Sequence, residues 1–259
     1  GPRDLAWLRA HLPEGDSVRM REVTSAMAVC GLWGPNSREI LQPLVPEDLS
    51  NEAFPYMRAQ QIQIEHVPAL ALRISYAGEL GWEFHHPIEQ QIALFDLLMD
   101  AGKEFGIRPY GIKAMSSLSV EKSYRLVPRE LSIEYNAYES GLDRFVHPNK
   151  GQFIGRDALV EAKQNGLDWN FVTMEVHGVG DGDSDARGSE PLYRNGQLIG
   201  RATNGAYGFR VNKSLALGMV KPDHSAIGTE LEIKILGKLF KATVIPESPY
   251  DPDNKALRA

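Results

Sequence analysis

Apolar positions recur along this chain with two different periods, mixed in the first two-thirds and strand-like beyond about residue 170. Leu5, Leu8 and Leu12 fall at helical spacing, with Asp4 placed to cap, and predict an amphipathic helix at the start. Val23 to Trp33 is an apolar-rich run closed by Gly34-Pro35 and predicts a buried strand. Asn36 as cap, Glu39 three positions on, and then Ile40, Leu41 and Leu44 predict a helix. Gln61 to His66 and Leu70 to Tyr76 alternate, through Ile62 and Ile64, then through Leu70, Leu72 and Ile74. With Pro68 as the break they predict paired strands. Ile88 to Phe105 gives the clearest helix, with a core stripe of Ile88, Ile92, Phe95 and Met99 widened by Leu94 and Leu98, ending near Gly102 and Gly106. Further helices are expected over Ile112 to Tyr124 and Arg156 to Lys163, separated by an irregular stretch from Pro128 to Gly151.

Beyond Trp169 the pattern becomes that of short strands split by turn signals. Phe171 to His177 alternates, and Gly178 to Gly188 reads as an acidic, solvated loop. Asn195-Gly196, between Leu192-Tyr193 and Leu198-Ile199, predicts a type I′ hairpin. Asn204-Gly205, Pro222-Asp223 and Gly237-Lys238 read as further turns, with Glu230 to Ile235 and Leu239 to Ile245 as a second hairpin. Six short strands predict a small barrel or sandwich. The change of texture divides the chain into residues 1–168 and 169–259.

Composition narrows the function. The 259 residues hold 28 Lys+Arg against 34 Asp+Glu, and a net charge of −6 argues against a nucleic-acid binder. The single Cys30 excludes a disulfide framework or Cys-cluster metal site and reads as a buried, inert thiol. No apolar run is long enough to span a membrane, and no signal-peptide pattern opens the chain. The chain begins Gly1-Pro2 without Met, which suits either a fragment that starts mid-fold or a tag remnant.

Generic motifs carry little. There is no P-loop, HExxH or Gly-x-Ser-x-Gly, and Gly178 to Gly182 lacks the setting of a dinucleotide fingerprint. His85 and His86 are adjacent, so on a strand they face opposite ways and make a poor metal pair; no metal is expected. The informative stretch is Arg73-Ile74-Ser75-Tyr76-Ala77-Gly78-Glu79-Leu80-Gly81-Trp82-Glu83. A turn or bulge at its two glycines would reset the strand phase and bring Tyr76 and Glu83 to one pocket. A carboxylate there could accept both N–H bonds of a planar ring edge. The other reading is an ordinary hairpin with surface acids. Trp33 and Trp82 read as core residues, Arg201 and Arg210 as surface residues, and Arg125 as a helix-end ion pair or a ligand contact.

This stretch resembles the Tyr-Thr-Gly-Glu-x-Gly-x-Glu motif of the aminomethyltransferase (glycine cleavage T-protein) family. The resemblance extends through Leu32 to Leu41, Asn136 to Leu142, Lys150 to Leu159, Thr203 to Tyr207 and Ala216 to Val220. Ile74 to Glu83 and Glu121-Lys122-Ser123-Tyr124-Arg125 are most similar to the C-terminal folate domain of flavin-linked dimethylglycine and sarcosine dehydrogenases. The resemblance implies an α+β fold, with ferredoxin-like α/β layers around a ligand cavity and a C-terminal β-barrel. It implies tetrahydrofolate as the one-carbon acceptor, with FAD held by a separate N-terminal oxidoreductase domain, in cis or as a subunit. Tyr76, Glu83, Arg125 and Tyr207 are the implied folate-binding residues, Glu83 meeting the pterin edge. The family's catalytic Asp belongs to a segment upstream of Gly1, so the chain alone is expected to bind folate poorly and to show no transfer. Ser119 stands where the family has an Arg, and this substitution would weaken or rearrange the folate contacts. The implied location is the cytoplasm, or the mitochondrial matrix in a eukaryote, with no nucleic-acid or membrane partner.

Three other readings compete. One is a non-catalytic or regulatory relative, which Ser119 favours. Another is a folate-dependent O- or S-demethylase. The third is the iron–sulfur assembly branch, whose signature Cys is replaced here by Gln152.

Overall fold

The structure, a computed structural model, describes residues 1–15, 17–180 and 182–259. The chain divides into two compact units. The first holds residues 1–32, 36–73 and 81–107; the second holds 33–35, 74–80 and 108–259.

The first unit is built on a four-stranded sheet in the order β1-β4-β3-β2. The opening helix, α1 (Pro2–Ala10), forms as its pattern predicts but buries no side chain. Its Asp4 carboxylate takes the N-terminal amine at 2.7 Å. β1 (Met27–Trp33) is shorter than the apolar run and is not fully buried: it is an edge strand, and only Leu32 is buried. α2 (Ser37–Leu41) starts directly after Asn36, although the Asn36 side chain makes no cap bond, and it buries Ile40 and Leu41.

β2 (Ala59–Ile64) and β3 (Val67–Leu72) form an antiparallel hairpin whose two-residue turn places Glu65 at φ 48°. Pro68 is therefore inside β3 rather than a break. It is tolerated because the β3–β4 ladder covers only Leu70 to Leu72, while its β2 partner Gln63 turns its N–H to Glu47. β4 (Gly81–Pro87) follows. In β2 the expected Ile62 and Ile64 are buried, whereas in β3 the alternation is real but its phase is inverted. Val67, Ala69, Ala71, Trp82, Phe84 and His86 are buried, whereas Leu70, Leu72, Glu83 and His85 share the half-buried face.

α3 (Gln91–Ala101) shows the same kind of error. It buries Leu94 and Leu98, while Ile92 and Phe95 stay exposed. Apolar residues surround most of this helix, so periodicity alone does not select the inward face. Cys30 is only half-buried, and burial pushes its thiol pKa up, which keeps it protonated and weakly nucleophilic.

In the second unit, α4 (Ile112–Val120) and α5 (Arg156–Asn165) precede a closed barrel of six strands. These are β5 (Asn170–Val176), β6 (Pro191–Arg194), β7 (Gln197–Gly208), β8 (Lys213–Val220), β9 (Glu230–Ile235) and β10 (Lys238–Ile245), in the order β10-β5-β8-β7-β6-β9. The chain ends in the short α6 (Lys255–Arg258). Inward residues such as Met174, Leu192, Ile233 and Val244 form one apolar core, each large side chain contributing about 1.5–3 kcal/mol by burial. Asn195 and Gly196 take φ 51° and 76° and make the predicted primed turn. Asn204-Gly205 is not a turn. It lies inside β7, beside a register shift after Ala202, where a Cβ at Gly205 would come 2.6 Å from the Ala186 carbonyl oxygen. The glycine there serves close backbone approach rather than reversal.

Candidate functional site

The Tyr-x-Gly-Glu stretch is split by the fold. Ile74 to Leu80 is an irregular loop of the second unit, while Gly81 to Glu83 opens β4 in the first. The loop is firmly anchored. Trp33 Nε1 donates to the Ile74 carbonyl at 2.9 Å, and Ser75 Oγ accepts from the Glu79 N–H at 3.1 Å. Gly78, at φ 76°, leaves room for the Lys122 stem, which would lie 2.6 Å from a Cβ.

Tyr76 stacks on Tyr124 with ring centroids 5.6 Å apart, and its hydroxyl donates to the Arg125 carbonyl at 3.3 Å. Burial raises its pKa, partly offset by a hydrogen bond with the Ser119 hydroxyl. The phenol is thus held as a neutral donor at physiological pH. Ser119 is buried on α4 and donates to the Ser116 carbonyl at 3.0 Å. It therefore adds a hydroxyl beside Tyr76 but no positive charge.

The two carboxylates of the stretch have different fates. Glu79 is engaged: its Oε1 accepts from Arg210 Nη1 at 2.6 Å and from the Tyr250 hydroxyl at 2.7 Å. Glu83 sits on the half-buried face of β4, with His85 Nε2 3.8 Å away and its side chain 26% exposed. Among the described residues no group donates a hydrogen bond to it. A carboxylate that accepts no hydrogen bond on a half-desolvated strand suits a planar donor edge.

The guanidinium of Arg125 is committed within its own unit. It forms a two-pronged pair with Glu247, donates from Nε to the Ser140 carbonyl at 2.9 Å, and stacks 3.7 Å from the Phe171 ring centre. Only its backbone oxygen meets Tyr76. Tyr207 lies near the end of β7, its hydroxyl donating to Asn212 and its ring edge-on to Phe209 at 5.1 Å. Its carbonyl accepts from Ser117 on α4 at 2.5 Å. Arg201 is an exposed partner of Glu134 and Tyr135, as a surface residue should be.

Arg210 is not a surface residue. It is half-buried between Glu79 and Glu121, and its guanidinium lies 3.7 Å from the centre of the Tyr250 ring. Glu121 is fully buried and also accepts the Arg210 backbone N–H at 2.7 Å. Beside them the buried Lys122 ammonium donates to the carbonyls of Tyr250 and Asp251 and to Asn254 Oδ1, at 3.0, 2.7 and 2.9 Å. Burial lowers the Lys122 pKa, with Asp251 opposing the shift. Sequence reading missed this cluster because its contacts join residues 89 to 171 positions apart. The available signal was the charged pair Glu121-Lys122 directly after an apolar helix.

A cleft of about 310 Å³ elsewhere in the second unit is lined by Tyr138, Arg156 and Lys163 among others, and by none of the four predicted residues. Among the described residues no three His, Cys, Asp or Glu side chains converge as a metal site.

Residues 1–150 match the model of the GCVT N-terminal domain, and residues 170–251 match the glycine cleavage T-protein C-terminal barrel domain. The chain belongs to the glycine cleavage T-protein family. Among curated relatives, human mitochondrial dimethylglycine dehydrogenase is 37% identical over 246 residues, covering 94% of this chain and 28% of that protein. An aminomethyltransferase of Caldanaerobacter subterraneus subsp. tengcongensis is 32% identical over 238 residues, covering 92% of this chain and 62% of the relative. The chain thus spans less than a third of the dehydrogenase it matches. Glycine cleavage system aminomethyltransferase T from Bartonella henselae shares the fold, with a TM-score of 0.77 at 23% identity over 87% of this chain and 60% of that one. The α+β architecture with a closed six-stranded barrel is therefore a T-protein fold. No helix among the described residues is long and apolar enough to cross a membrane.

Proposed function

We propose that this chain is the tetrahydrofolate-binding, one-carbon-accepting part of an FAD-linked N-methyl amine dehydrogenase of the dimethylglycine or sarcosine type. The observation that carries the reading is the division of labour between the two motif carboxylates. Glu79 is consumed by structure, whereas Glu83, on a half-buried strand with His85 Nε2 3.8 Å from its Oε2, accepts no hydrogen bond among the described residues. The similarity to a dimethylglycine dehydrogenase over nearly the whole chain supports the flavin-linked branch.

Tetrahydrofolate supplies nucleophilic nitrogens that take up a one-carbon unit at the formaldehyde oxidation level. In this reading Glu83 accepts the paired N–H groups of the pterin edge, a charge-assisted contact that fixes the ring. Tyr76, kept protonated by its burial, contributes a neutral donor and an aromatic wall. Tyr207 on β7 is a further proposed folate residue, and Arg125 acts through the carbonyl that holds Tyr76 rather than through its engaged guanidinium. Positioning is the protein's main contribution. FAD would perform the amine oxidation, and no residue of this chain is assigned to it. The division at 168/169 belongs to the same proposal.

The buried Ser119 favours a second reading, a binding or regulatory relative, because it offers no cation where the family resemblance implies one. Calorimetric titration of the complete polypeptide with tetrahydrofolate, alongside formation of methylenetetrahydrofolate from an N-methyl amine, tests both. Binding with turnover is expected, and Glu83→Gln should weaken binding about tenfold or more, the scale of one charge-assisted hydrogen-bonded pair. Binding without turnover would favour the second reading. No binding by the parent, or full binding by Glu83→Gln, would overturn the folate assignment to this site.

A further inference from the structure

The loop that carries Tyr76 has no regular secondary structure, yet it is fixed from two sides by one distant stretch of chain. At its far end the Tyr250 phenol donates to Glu79 at 2.7 Å while the ring covers Arg210. At Tyr76 itself the hydroxyl rests on the Arg125 carbonyl, and Glu247 holds the Arg125 guanidinium. Tyr250 and Glu247 are only three residues apart.

The stretch is in turn tied to the turn that follows α4. The three donors of the Lys122 ammonium meet three neutral oxygens, all supplied by residues 250–254. A buried ammonium facing neutral acceptors is a costly way to gain stability. It is an exact way to set register, because each donor is matched once. The Lys122 stem also fills the space left by Gly78, so the same side chain touches both the loop and the stretch. Asp251 completes the arrangement by accepting the N–H groups of Lys255 and Ala256 at 2.9 Å each, which fixes the start of α6.

We infer that residues 247–254 form a positioning strap for the Tyr76 loop, with Tyr250 and Glu247 as positioning residues for the one-carbon acceptor. This rests on the reading that Tyr76 lines the folate site. The strap touches no reacting atom. It determines where the phenol and the Gly78 turn stand before the ligand arrives.

The test compares the complete polypeptide with its Tyr250→Phe and Asn254→Ala variants, the second being a milder loss should the first fold poorly. Amide hydrogen exchange of residues 74–80 and tetrahydrofolate affinity are both measured. Tyr250→Phe should speed exchange in the loop and raise the folate Kd by about tenfold, the scale of one hydrogen bond to a carboxylate. Exchange in barrel strands β5 to β10 should stay unchanged. Asn254→Ala should move both readouts in the same direction by less. Unchanged loop exchange overturns the strap, and so does acceleration spread evenly through the barrel, which would mark a general stability role. If the loop alone accelerates but the parent binds no tetrahydrofolate, the strap stands and the folate reading fails.

Discussion

Replacing Arg210 by methionine keeps most of the side-chain volume and removes the cation between Glu79 and Glu121. Glu121 is fully buried, so after the change its carboxylate retains the residue-210 backbone N–H at 2.7 Å and loses its charged partner. Breaking a buried pair from one side costs about 3–5 kcal/mol, because a charge is left in a poorly polarisable surrounding. Glu79 adds little to that sum: its side chain is 18% exposed and it keeps the Tyr250 hydroxyl. For a unit of this size the loss corresponds to a fall in Tm of roughly 6–20 °C, at about 2–4 °C per kcal/mol. Urea denaturation followed by tryptophan emission reads the effect, since Trp33 and Trp169 both lie in the second unit. Glu121→Gln/Arg210→Met should recover most of the loss, because removing both charges leaves nothing uncompensated at Glu121. A single variant costing under about 1 kcal/mol, the value of an exposed pair, would refute the reasoning. A double variant as unstable as the single one would do the same.

Other outcomes follow from the same structure. Burial raises the pKa of both Tyr76 and Tyr250, so the folded chain holds these phenol protons more tightly than the unfolded one. Their contribution is fully present below the ordinary tyrosine value of about 10 and is lost as pH rises through the folded values. Thermal melts across the alkaline range should therefore fall less steeply for Tyr76→Phe than for the parent; identical slopes would contradict this. In the barrel, Gly205→Ala forces a methyl against the Ala186 carbonyl and should cost about 2–3 kcal/mol. Gly196→Ala meets no neighbour but must keep φ 76°, at about 1 kcal/mol. Urea midpoints in the opposite order would show that β7 yields locally.

The barrel was the most legible part of the sequence. Its hairpins are local objects: Asn195-Gly196 specifies its turn through positive φ, and the second hairpin turns at Leu236-Gly237, one residue before the expected Gly237-Lys238, with alternating strands flanking both. Where the expectation failed, a local pattern was compatible with two packings. α3 is apolar around most of its surface, so Ile92 and Phe95 read as core as readily as Leu94 and Leu98. Asn204-Gly205 carries a turn signature, yet its glycine answers to the Ala186 backbone across a gap in sequence. At the site, the types of Tyr76, Glu79 and Glu83 were readable, but not which carboxylate stays free. That depends on Arg210 and Tyr250, which lie 131 and 171 residues beyond Glu79.

The interleaved composition of the two units bears on how such a gene can be cut and recombined. The seven residues from Ile74 to Leu80 belong with residues 108–259, although the segments on both sides of them belong to the sheet. No single scissile bond between residues 80 and 108 yields two self-sufficient halves, because every such cut leaves Tyr76 on one piece and Arg125, Tyr124 and Tyr250 on the other. Exchange of modules between proteins of this kind would have to carry both units together, as one inherited block.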